Sequence, residues 1–156
     1  MLSSEETMTA TEKLHQRVAV LGVVNPQSAA AGTYDSTGVD MRLFRRALFI
    51  LLVGALGASG TVDAKLQGSA DNSTFVDITG KTITQLTKAG SDDNKQVLLE
   101  ISDAELLDAS ATYRYVRMRV TTGTAASLIA VVALGGDSRY PPASDNDLAS
   151  VDEIVG

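Results

Sequence analysis

The sequence predicts an all-β protein, an antiparallel β-sandwich of jelly-roll type with an N-terminal arm and a C-terminal tail. Three observations lead there. Residues 61–67 alternate, with Val62, Ala64 and Leu66 on one face and Asp63, Lys65 and Gln67 on the other. That is the period of a sheet with one face in a core and the other in water. Residues 113–120 repeat the pattern, setting Val116, Met118 and Val120 against Tyr115, Arg117 and Arg119. The remaining apolar runs are short and separated by turn signals, giving about eight strands in all, as a sandwich or jelly roll requires.

Taken in order, residues 1–17 are a polar arm, helical or extended. Residues 18–24 form a β-branched run that Asn25-Pro26 is expected to stop. Residues 28–38, rich in Ala, Gly, Ser and Thr, read as a loop. Residues 39–53 are long enough for a helix, but flanking glycines and neighbouring strand patterns favour one long strand, or two broken near Arg45-Arg46. Gly54, Gly57 and Gly60 mark a flexible connection, and residues 68–74 a turn built from Gly, Ser, Asp and Asn. Strands are expected again at residues 75–78, 83–86 and 96–101. Ser102-Asp103-Ala104-Glu105 reads as an N-cap with an acidic first turn, hence a short helix through Leu107. Residues 127–134 are apolar on both faces, the mark of a central strand or one covered at an interface. From Gly135-Gly136 onward Pro141-Pro142 and an acidic stretch change the character. The division is therefore an arm over 1–17, a sandwich domain over 18–137 and an acidic tail over 138–156.

At 156 residues the chain fits one domain, able to bury about two-thirds of its unfolded surface. Tryptophan is absent and phenylalanine and tyrosine number only three and four, so Val, Leu, Ile and Ala must build the core. Without cysteine there are no disulfides, thiolate metal sites or thiol nucleophiles. The net charge of −6 argues against a phosphate-tracking surface, so nucleic acid is not an expected partner. The apolar run over 47–56 is far shorter than the roughly twenty residues a membrane helix needs; it reads as a buried strand, and no membrane partner is expected.

The strand–turn–strand phrase Leu66-Gln67-Gly68-Ser69-Ala70-Asp71-Asn72-Ser73-Thr74-Phe75-Val76-Asp77-Ile78 resembles a unit that recurs in small β-sandwich proteins of tailed-bacteriophage particles. The resemblance spans residues 34–136. It implies an accessory capsid protein, a decoration or cement protein, that sits on the outside of a shell, binds the major capsid protein and holds neighbouring subunits together, often as a trimer. Synthesis in a host cytoplasm fits the start of the chain, where Glu5, Glu6 and Glu12 stand in place of the basic and apolar residues of a secretory signal. A tail or neck structural protein shares the same expectations. A carbohydrate-binding module is the other rival, weakened by the missing tryptophan.

Candidate chemistry is sparse. His15 is the only histidine and lies in the polar arm, so the metal and triad constellations lack their parts. Asp71, Asp77, Asp92 and Asp93 fall in or beside turns, where Asx roles account for them better than calcium does. No phosphate-cradling glycine pattern occurs. The sequence therefore leads us to expect neither an enzyme nor a cofactor. Arg42, Arg45, Arg46, Arg114, Arg117 and Arg119 cluster on two expected strands. Either they pair across strands with carboxylates, or Arg42, Arg45, Arg46, Arg117 and Arg119 dock on an acidic protein surface. Leu148, Val151 and Ile154 in the tail are candidates to pack on a neighbour; the simpler expectation is a solvating end.

Overall fold

A computed structural model describes residues 12–143 and 149–156. The elements run α1 (Leu14–Arg17), β1 (Val18–Ala29), β2 (Gly32–Asp35), β3 (Val39–Asp40), β4 (Phe44–Leu56), β5 (Thr61–Ser69), β6 (Val76–Thr82), β7 (Leu86–Thr87), β8 (Gln96–Ser102), α2 (Asp103–Ala109), β9 (Tyr115–Gly123) and β10 (Ser127–Ser138). One sheet has the order β1-β10-β4-β8 and the other β2-β9-β5-β6, with β3 also on β9 and β7 also on β5. Every pairing is antiparallel. With the two-residue β3 and β7 set aside, the strand order is that of a jelly roll, as expected from the sequence.

The core lies between the sheets. Phe49, Leu51 and Val53 of β4 and Ile129, Val131 and Ala133 of β10 meet Val62, Ala64 and Leu66 of β5 and Val116, Met118 and Val120 of β9. The last two triplets are the inward faces that the alternation predicts. A smaller cluster joins Ala19, Phe44 and Ala143, where Ala143 N–H also donates to the Gln16 carbonyl at 2.7 Å. The chain just before residue 144 is thus tied to the start of β1.

Several local expectations change. Asn25-Pro26 does not stop β1, which continues to Ala29. The pairing with β10 slips between Val24 and Gln27, and β1 is an edge strand, so a proline without N–H is tolerated in the irregularity. Residues 28–38 contain β2, which pairs with β9 from Gly32↔Thr122 to Asp35↔Arg119. The break in residues 39–53 comes at 41–43, before Arg45-Arg46. Asp40 makes that turn: its carboxylate accepts from Arg42 N–H at 3.0 Å and its carbonyl from Leu43 N–H at 3.1 Å. Gly54 belongs to β4, where a Cβ would come within 2.9 Å of Leu128 Cβ, and the turn begins only at Gly57, whose carbonyl accepts from Gly60 N–H at 2.8 Å. Of residues 83–86 only Leu86 enters a strand, the short β7.

The expected helix is present as α2, closed by a reciprocal cap: Ser102 Oγ accepts from Glu105 N–H at 3.2 Å and Glu105 Oε2 from Ser102 N–H at 2.8 Å. The turn after β5 is organised by Asp71, whose Oδ1 accepts from Ser73 and Thr74 N–H at 2.9 and 2.8 Å. These bonds favour its ionised form and lower its pKa to about 2.

Candidate partner interface

The two sheets present opposite kinds of outer face. On the β2-β9-β5-β6 sheet the outward residues are charged and joined to one another. Arg119 forks onto Asp35 at 2.7 and 2.8 Å, and Arg117 reaches the same carboxylate at 3.2 Å. Arg117 also donates to Gln67 Oε1 at 3.0 Å and lies 4.0 Å from the centre of the Phe75 ring. Lys65 and Gln67 both donate to Asp77, at 2.6 Å each. The Arg119 hydrogen bonds hold the Asp35 carboxyl below its ordinary pKa, and the Lys65 bond does the same for Asp77.

The other expected arginines do not join this group. Arg46 stands on β4 in the opposite sheet and donates to Asp137 at 3.1 Å and Glu100 at 3.4 Å. Arg114 forks onto Asp40, and Arg139 pairs with Asp103. Arg42, in the turn before β4, lines a cleft of about 240 Å³ with Asp103, Leu106 and Arg114. Arg42 and Arg45 are exposed and make no ion pair among the described residues. In the tail, Val151 is half-buried and Ile154 is 47% exposed, while Leu148 lies outside the described residues. Arg46, Arg117 and Arg119 thus make the cross-strand ion pairs that were one of their two expected roles, and Arg114, just before β9, pairs with Asp40. His15, placed by the sequence in the polar arm, is half-buried, with the Gly156 backbone close to its ring.

The outer face of the β1-β10-β4-β8 sheet is aliphatic. The register lines up Val20, Leu134, Leu48 and Glu100 in one row across the four strands, and Val23, Val132, Ile50 and Leu98 in the next. A third row holds Ala130, Leu52 and Gln96, and Leu128 packs beyond it against Gly54. Leu52, Leu98 and Leu128 are 39%, 61% and 46% exposed. Leu52 and Leu128 border a shallow groove of about 400 Å³ beside Pro26 and Gln27. Charge appears only at one end, where Arg46 is held between Glu100 and Asp137. Sequence reasoning found half of this face: β10 reads as apolar on both sides, whereas the run in β4 reads as simply buried. The signal that would have completed it is the same doubled apolarity in Leu48, Ile50 and Leu52 beside Phe49, Leu51 and Val53.

Among the described residues no group of three or more His, Cys, Asp or Glu could hold a metal ion, and no helix is long and apolar enough to cross a membrane. No family model matches the chain, and no curated protein matches it. Among solved structures it is similar to a chain of the infectious bursal disease virus Gx strain structure, with 12% identity and a TM-score of 0.41 over 81% of this chain and 33% of that one. This chain therefore spans about a third of that longer one. The jelly-roll assignment rests on the strand order alone.

Proposed function

We propose that the chain is a non-enzymatic structural component of a virus particle, a decoration or cement protein that lies on the outside of a tailed-phage shell, binds the major capsid protein and works as a homo-oligomer. The observation that carries the reading is the aliphatic outer face of the β1-β10-β4-β8 sheet. A face of this kind, on a chain whose other sheet is charged and internally neutralised, is a surface meant to be covered by protein. The paired carboxylates and guanidiniums support a structural role for the polar residues, since Asp35, Asp40, Asp71, Asp77 and Glu105 are each engaged in holding a strand, a turn or a cap. The resemblance of the residue 66–78 phrase to phage-particle sandwiches supplies the setting.

On this reading Arg42, in the turn before β4, and Arg45, at its start, which form no ion pair among the described residues, are available to acidic residues of the shell. Contacts that are weak one at a time add up when a symmetric shell repeats them. The test is to purify particles with and without the protein and to compare genome retention on heating and after osmotic shock. The protein should be found on the shell, and its removal should lower the temperature of genome loss. Particles equally stable without it, or its recovery in isolated tails alone, would overturn the proposal.

A further inference from the structure

We infer that the aliphatic outer face of the β1-β10-β4-β8 sheet is covered by the same face of a second copy of this chain. The inference rests on reading this face as a surface covered by protein, and it adds the identity of the cover. Three features of the face select that occupant.

The first is area. Strands about 4.8 Å apart and residues about 3.3 Å apart give the four-stranded face, from the level of Leu48 to that of Gly54, about 19 by 23 Å. Two such faces stacked on each other remove about 900 Å² of surface, and with their rims about 1,000 Å², the size at which a specific interface begins. The second is the distribution of polarity. Val132 and Ile50 stand in the middle, and polar groups enter only at the margins, as Gln96, Glu100, Arg46 and Gln27. An apolar centre inside a polar rim is the anatomy of an interface. The third is charge. The rim charges lie at one end, where Arg46 is held between Glu100 and Asp137; their net of one negative charge stays at that margin, and the centre of the face offers nothing to an oppositely charged partner. An anionic membrane is also a poor match for a chain of net charge −6.

A second copy meets these requirements without any further partner. Two sheets with the same strand spacing and the same twist can stack with their side-chain rows interdigitated, and a two-fold axis through the centre of the face makes every contact twice. Leu98, on the edge strand β8 and 61% exposed, then projects from one copy toward its mate, and Leu128 does so from the far end of β10.

The experiment is sedimentation velocity on the purified full-length chain across the micromolar range, at low and high salt, beside Leu98→Lys, Leu128→Lys and Lys65→Gln. The wild type should sediment as two chains, and added salt should not dissociate it. Each leucine variant should weaken association by at least ~30-fold, because the lost burial and the new charge enter twice. Lys65→Gln, on the charged face of the other sheet, should leave the pair intact. Circular dichroism and melting of Leu98→Lys guard against misfolding, and its outward position predicts a native spectrum. A wild type that is monomeric throughout the range would overturn the inference. So would an oligomer that survives both leucine substitutions, or a chain that stays monomeric and floats with phosphatidylglycerol vesicles. Because the measurement needs no virion, its failure is separate from a failure to find the protein on a shell.

Discussion

Replacing Asp35 by alanine tests whether long-range charge pairs hold the shortest strand of the main sheet path in place. β2 has only four residues, and its last one is the carboxylate that Arg119 forks and Arg117 approaches. The side chains of Asp35, Arg117 and Arg119 are 26%, 17% and 32% exposed. Hydrogen bonds to charged groups contribute about 1.5–3 kcal/mol when protected from water, and exposed pairs about 0–1 kcal/mol. A quarter-exposed carboxylate falls between, and its removal also leaves two guanidiniums facing each other across one residue. Asp35→Ala should therefore cost about 2 kcal/mol, or about 4–8 °C of melting temperature for a domain of this size. The sign with pH follows from the lowered native pKa. The stabilisation is complete above the ordinary carboxyl value of 3.8 and is lost as pH falls through the still lower native value. Urea unfolding of the wild type and Asp35→Ala at neutral pH and at several acid values should show a gap that is constant near neutrality, begins to narrow as pH falls past 3.8 and closes below the lower native value. A gap that persists undiminished in strong acid, or Asp35→Asn as stable as the wild type at neutral pH, would refute the electrostatic account of β2.

Three further outcomes are expected. Met118→Ala, at a position with no exposure between the sheets, should lower unfolding free energy by about 2–5 kcal/mol in the same urea assay, through the cavity it leaves. Gly135→Ala should cost about 1–3 kcal/mol, because the new Cβ would come within 2.7 Å of the buried Phe44 ring and 2.3 Å of Leu21 in the middle of a central strand; an unchanged melting temperature would contradict that packing. Ser102→Ala should remove about 1 kcal/mol by opening the cap of α2. The same change should raise the Glu105 pKa only slightly from about 2 in an NMR titration of that carboxyl, because the larger causes, its bonds from Lys81 and from the backbone N–H of residue 102, remain.

The sequence by itself determined those features whose physics is local. The period of two in Val62, Ala64 and Leu66 and in Val116, Met118 and Val120 identified inward faces, because a strand sends alternate side chains to opposite sides. Asp71 and the Ser102-Glu105 pair were legible because their bonds close over two or three residues. Tertiary structure decided whatever depends on which distant strands become neighbours. Nothing within residues 28–38 marks β2, whose anchor Arg119 lies 84 positions away from Asp35. Pro26 is compatible with a strand only because β1 ends up at a sheet edge. The placing of Arg46 between Glu100 and Asp137 likewise depends on β8 and β10 lying on either side of β4. The aliphatic face is the largest such case: its residues come from four strands spread along the chain from Val20 to Leu134. Each segment shows merely that it lacks a polar side, and only the register of the folded sheet adds those sides into one surface.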